Sequence, residues 1–408
     1  MIYEVRLGTD PCWRSGALPL RVPTRSEAAD HQLRLTYFEP RLREALYGSA
    51  EAPVRWFRLF EPRERLAGAG VQGIEVLRMP LVGGELGLAV LHVELTDPTD
   101  PRRDPVVVLE DLARLSTATA EESDCRRKLE ELLPNGVQLT PGDSRARTVA
   151  HVTFTDAPDR VMSDHYGDWS PADQWLWLLA SASTEARFAP DPEDASVRSG
   201  AVLFSADWKA LVLRDGMAFV GTSPDSGEER EFHSSAEVYV HSIYLDALLV
   251  GCMQLYALND VANNVAGVQA EQFDPEVLAG LEYRLMHVRR RLWFSHITVH
   301  GKGNELLRQF QAQHALPTLL ENIISELADA GRLVDALTNR SVNAALGLLT
   351  VIGLPVGVAF AAGALWTEPH PGLFLVSVLA AAVGAIALTT VVQPARQMLR
   401  TLLRRHPQ

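Results

Sequence analysis

Residues 349–384 read LTVIGLPVGVAFAAGALWTEPHPGLFLVSVLAAAVG, and Glu368 is the only charged residue among them. The stretch belongs to two longer runs without Asp, Glu, Lys or Arg, Ala344–Trp366 and Leu373–Val392. As helices they would reach about 34 and about 30 Å, the thickness of a bilayer's hydrocarbon core. Thr367–Gly372, TEPHPG, joins them. Two prolines and a glycine suit a tight turn, so the helices are expected to run antiparallel. Helices buried in a soluble core normally keep a polar face. Here Thr350, Ser377, Thr389 and Thr390 are the only hydroxyls, and they are scattered. The expectation is a transmembrane hairpin over 344–392.

Arginine placement orients it. Arg332 and Arg340 precede the first span, Arg396, Arg400, Arg404 and Arg405 follow the second, and the connecting loop has neither Lys nor Arg. The positive-inside rule puts both ends in the cytoplasm and the loop outside, in the inner (cell) membrane. The start, MIYEVRLGTDPCW, lacks an apolar run of signal-peptide length, which predicts the same side for the body. In the tail 393–408, Arg396, Arg400 and Arg404 share one helical face, opposite Met398, Leu399, Leu402 and Leu403. Such a helix can lie on the anionic inner leaflet, or it can be a plain stop-transfer tail. Gly353, Gly357 and Ala361 form a small-residue row for close helix packing in lipid. Trp366, Glu368 and His370 stand at the outer end, where a pore would have its mouth.

The rest of the chain is unlike its end. The net charge is −13 overall, and removing Glu368 and the four tail arginines leaves about −16 on residues 1–343. Sequence-independent nucleic-acid binding needs a basic surface, so nucleic acid is not an expected partner. Cys12, Cys125 and Cys252 are odd in number, widely spaced and without a CxxC, which indicates a reducing compartment.

Upstream of the first span lie two apolar seams. Leu320, Ile323, Leu327, Ala330, Val334 and Leu337 recur at spacings of three and four, as do Leu278, Leu281, Leu285, Val288 and Leu292. Pro317 is expected to start or kink a helix between them, and Asp274 and Pro275 to open the earlier one. The seams can close within one chain or between chains, and a homo-oligomer is the favoured outcome. Val238–Ala266 is also apolar but is interrupted by His241 and Asp246. Its clean stretch, Ile243–Leu258, is short for a span, so a helix buried in the body is expected. Residues 236–343 are thus read as a helical stalk region.

Residues 1–235 mix strand and helix patterns and are expected to form an acidic α+β cytosolic domain. Val54–Phe60, Glu85–Leu95 and Arg147–Thr155 read as strands, and Trp208–Thr222 as a hairpin turning at Asp215–Gly216. Trp169–Ser183 reads as a helix capped by Ser170, with Pro171 first and Asp173 in the first turn. Asp97–Pro105 and Ala189–Ser196 are proline- and acid-rich surface loops.

Chemistry is sparse. His300–Asn304, HGKGN, lacks the glycine spacing and the hydroxyl of a phosphate loop. His296 and His300 would share a helical face, but a metal site needs further ligands. No catalytic, cofactor or metal residues are expected, and the protein is read as non-enzymatic.

Two resemblances can be named. A cytosolic α+β body, long helices, two C-terminal spans and an arginine tail resemble the CorA-type magnesium transporters over residues 275–408. That family implies a pentamer with the first span lining a pore, although its Gly-Met-Asn is missing here, where GALWTEP stands. Separately, WSPADQWLWLLASAS, SADWKALVLRDGMAFVG, VYVHSIYLDALLVG and LGLLTVIGLPVGVAF resemble segments of CATRA-type bacterial conflict-system proteins, over roughly 165–365. That resemblance implies a membrane component of a defence system, with a caspase-like peptidase or TPR protein as partner. The fold expectation is an α+β cytosolic domain, long helices and a C-terminal two-helix transmembrane hairpin. The functional expectation is a membrane-anchored sensor or effector. The alternative is a CorA-like divalent-cation channel.

Overall fold

A computed structural model describes residues 1–348, except 20–26, 82, 96–103, 118–123, 141–144, 195–199, 227–231 and 268–274. Beyond 348 it describes Gly353, Gly357, Gly372, Val376 and Leu379. The chain divides into two compact units, Met1–Val268 with Gly280–Ile324, and Gln269–Ala279 with Ser325–Gln408.

The first unit is α+β. Strands β1 (Ile2–Leu7) and β2 (Arg14–Ser15) come first, then helices α1 (Glu27–Tyr37) and α2 (Pro40–Tyr47). β3 (Arg55–Leu66), β4 (Ala69–Arg78) and β5 (Leu86–Glu94) form a meander. α3 (Pro105–Ser116), α4 (Asp124–Leu132) and β6 (Val137–Leu139) follow, completing an antiparallel sheet of order β2-β3-β4-β5-β1-β6. A second sheet, order β7-β10-β9-β8, takes β7 (Thr148–Val152), β8 (Val202–Leu203), β9 (Trp208–Val212) and β10 (Gly216–Gly221), with α5 (Pro171–Ser181) before β8. β7 pairs in parallel with β10; the other pairs are antiparallel.

The first sheet is buried on both faces, which is why β4 and β5 read as almost unbroken apolar runs. Trp56, Ile74, Val76, Ala89 and Leu91 on one face share a core with α3, α4, α5 and the second sheet. On the other face stand Arg55, Glu75, Leu77, Val90 and His92, all buried.

A long helical stretch follows: α6 (Phe232–Tyr239), a π turn (Val240–Tyr244) and α7 (Leu245–Gly267). By length and composition Ser235–Gly267 could cross a membrane, yet 89% of its most apolar window is buried inside the protein. It is the buried helix that the interruptions at His241 and Asp246 predict. α8 (Pro275–Arg291), α9 (Gly301–Gln313) and α10 (Leu316–Leu348) complete the described chain. Gly251 allows α9 to pack on α7, since a Cβ there would stand 2.4 Å from Phe310. Gln254 Nε2 donates to the Leu292 carbonyl at 2.9 Å, and Gln311 Nε2 donates to Gln254 Oε1 at 2.8 Å.

Both predicted seams are buried: Leu278, Leu281, Leu285, Val288 and Leu292 on α8, and Leu320, Ile323, Leu327, Ala330 and Val334 on α10. Leu337 lies outside the described side chains. Within the second unit, a Cβ on Gly331 would meet Leu278 at 3.7 Å. α10 begins at Leu316, so Pro317 starts this helix and does not kink a longer one. Ala315, in the left-handed region at φ 49°, separates it from α9.

The predicted membrane hairpin, 344–392, falls mostly outside the described residues. Val376 and Leu379 are 62% and 57% exposed, and no described residue lies near a Cβ built on Gly357 or Gly372.

Candidate functional site

The second face of the first sheet carries polar side chains where apolar ones would be ordinary. Its registers set Glu75 opposite Phe57 and Val90, and His92 opposite Gly73. Arg34 from α1, Tyr47 from α2 and Asp246 from α7 meet this face. Asp246 Oδ1 accepts from Arg55 Nη1 at 2.7 Å, and Asp246 Oδ2 accepts from Arg34 Nη1 at 2.9 Å and from the Tyr47 hydroxyl. Glu75 Oε2 accepts from Arg55 Nε, while Oε1 accepts from the Leu18 amide at 3.0 Å and faces His92 Nε2 at 2.9 Å. Arg55 and Asp246 are fully buried, as is Glu75.

Two guanidiniums thus face two carboxylates, and the layer is neutral without help from histidine. Burial alone would raise the Glu75 pKa, but Arg55 and His92 outweigh it and hold the carboxyl below its usual range. Burial, with Asp246 beside it, pushes the Tyr47 phenol well up, so it donates as a neutral hydroxyl. Arg55 Nη2 is buried without a hydrogen-bond partner among the described residues, and its guanidinium lies 5.7 Å from the Tyr47 ring centre. Its charged side chains are all buried, and among the described residues the layer offers no exposed acid or base. It locks α1, α2 and α7 onto the sheet.

The π turn directs what lies on either side of this lock. Its i→i+5 bonding brings residues five apart towards one side, which an α-helix would not do. Tyr239 and Tyr244 are so aligned, their rings 6.4 Å apart. The half-buried His241, inside the turn, stacks on His92 at 5.9 Å, and its carbonyl accepts from Arg34. Burial lowers the His241 pKa to about 3, with His92, His151 and Arg34 adding to the shift. Burial, with His233 close by, lowers His151 to about 4. Both are uncharged at neutral pH.

The opposite side of α1 and the π turn opens on a cleft of about 380 Å³. α1 contributes Leu33, Thr36 and Tyr37, the end of α6 Tyr239, the π turn Tyr244, and the start of α9 His300, Gly301 and Lys302. The His300 ring lies flat on Tyr37, 4.8 Å between centres and 18° between planes. Lys302 Nζ stands 5.6 Å from the Phe204 ring and 3.5 Å from Glu305 Oε2. Phe204 in turn packs on Trp208, Phe219 and Tyr244. Burial raises the Tyr37 pKa to about 12.

The chain matches no protein-family model, no curated protein and no solved structure.

HGKGN is the start of α9, with His300 at the N-cap and no side-chain cap bond. The residues just before α9, 293–300, are not helical. Residues 293–300 are irregular because their backbone groups bond elsewhere. Asn304 Oδ1 accepts from the Ile297 and Thr298 amides, and Thr298 Oγ1 donates to the Tyr37 carbonyl at 2.6 Å. His296 and His300 therefore do not share a helical face. Among the described residues no group of three or more His, Cys, Asp or Glu could hold a metal ion.

Gly353 and Gly357 are exposed. Ala361, Trp366, Glu368, His370, Arg396, Arg400, Arg404 and Arg405 lie outside the described residues. The sequence reading missed Arg34, Arg55, Glu75 and the cleft. Its pointers are His241 and Asp246, polar residues inside an apolar run.

Proposed function

We propose that this protein is a membrane-anchored, non-enzymatic sensor. Its acidic α+β body receives a signal, and its C-terminal hairpin, 344–392, ties that body to the inner membrane. One observation carries the reading. α10 is helical from Leu316 to Leu348, so it continues from the described body into the first uncharged run, which begins at Ala344. The cleft between α1, the π turn and α9 supports the sensing half, because α1 also carries Arg34 of the buried ion layer and the π turn runs directly into the helix that carries Asp246. A role in a bacterial conflict system, with a peptidase partner and self-association, accords with the resemblance of residues 165–365 and the exposed Val342 and Leu346 on α10.

Alkaline carbonate extraction of cells expressing the full chain tests the anchor. The protein is expected to stay with the membrane pellet, and release into the supernatant would overturn the reading. The long α10 also fits the second reading, a CorA-like cation channel. Magnesium flux into liposomes carrying the full chain, reduced by Glu368→Ala, would favour the channel. A silent liposome favours the sensor.

A further inference from the structure

We propose that the cleft binds a flat aromatic ring bearing an anionic group, of mononucleotide size, between its tyrosine wall and the His300–Tyr37 stack. This deepens the sensor reading above by giving the body's input a chemistry. Three observations support it independently of the membrane hairpin. The volume, about 380 Å³, lies in the range of small-molecule sites. The walls are aromatic: Tyr239 and Tyr244 on one side, the stacked His300 and Tyr37 on the other. Ring stacking of this kind favours planar ligands and tolerates different bases. The charge is one-sided, since Lys302 is the only Lys, Arg, Asp or Glu among the described residues lining the cleft. Phe204 beneath it and Glu305 beside it position the ammonium. In a chain of net charge −13, Lys302 presents an ammonium to the cleft while its partner Glu305 is not among the described lining residues, so an anion in the cleft competes with Glu305 for it.

The ion layer gives binding a consequence. α1 puts Tyr37 in the cleft and Arg34 on Asp246, and Tyr244 lies two residues before Asp246. A ligand that draws the two walls together acts directly on the elements that the layer holds.

The test is calorimetric titration of the full-length chain in detergent micelles with the four common ribonucleoside 5′-monophosphates, their nucleosides and inorganic phosphate. At least one monophosphate is expected to bind with a Kd below about 1 mM. Its nucleoside and free phosphate are each expected to bind at least about tenfold more weakly. Lys302→Met should weaken the monophosphate by about tenfold without moving the nucleoside, whereas His300→Ala should weaken both. Absence of binding by all four monophosphates, or an unchanged affinity in Lys302→Met, overturns the proposal. Carbonate extraction is read separately, so a chain that stays in the membrane but binds no monophosphate loses this inference alone.

Discussion

Asp246 accepts hydrogen bonds from Arg34, Tyr47 and Arg55 and is fully buried. Asp246→Ala would leave Arg34 without its anion and Arg55 with Glu75 alone, and should cost about 3–5 kcal/mol in urea unfolding. His241 and His151 set the acid limit. Unfolded, each takes up a proton near pH 6.5; folded, only near about 3 and about 4. Below pH 6.5 the unfolded chain binds more protons. The stability is therefore complete above that pH and declines as pH falls towards about 4. Glu75, held low by Arg55 once the burial penalty is overcome, adds a further loss below about pH 4.5. Melting temperature followed from pH 7.5 to 4 should fall, and His241→Gln should shallow the slope. A flat profile would mean that these imidazoles are not held neutral. Of this layer the sequence discloses His241 and Asp246, because polar residues stand out in an apolar run. Arg34 and Arg55 lie 212 and 191 residues from Asp246 and look like any surface arginine.

Local chemistry writes most of the elements legibly. Ser170 caps α5 as its spacing predicts, its hydroxyl accepting from the Asp173 amide at 3.1 Å. Ser170→Ala should cost about 1 kcal/mol, measurable as a shifted urea midpoint. The hairpin expected around Asp215–Gly216 is present, but its turn sits one residue earlier, at Arg214–Asp215: Leu213 N donates to Gly216 O, and Met217 pairs with Val212. Gly216 serves a different need, because a Cβ there would come within 2.5 Å of the Thr148 carbonyl on the parallel neighbour β7. No turn rule contains that requirement, since it belongs to a strand 68 residues away. Gly251 has the same logic between helices. Gly251→Val should overpack the α7–α9 contact and lower stability by about 1–3 kcal/mol. The irregular path through His296 and His300 was illegible for a related reason: Asn304 takes up the Ile297 and Thr298 amides and the Thr298 carbonyl, and the Glu39 amide donates to the Ile297 carbonyl.

For the whole molecule, the α+β class and the buried character of Val238–Ala266 are readable from pattern. The layering of the first sheet, with apolar packing on one side and charges on the other, is not. Strands buried on both faces lose the alternation that would tell the faces apart. The division into compact units also escapes a linear reading. The larger unit uses Met1–Val268 and Gly280–Ile324, while the eleven residues between, Gln269–Ala279, group with the C-terminal part. Severing the backbone once, at an engineered protease site near residue 270, would give two polypeptides whose shared interior is still intact. Phe310 would remain seated on Gly251, and Gln311 on Gln254. The halves should co-purify after cleavage and reassemble when co-expressed, so covalent continuity and structural continuity come apart in this fold.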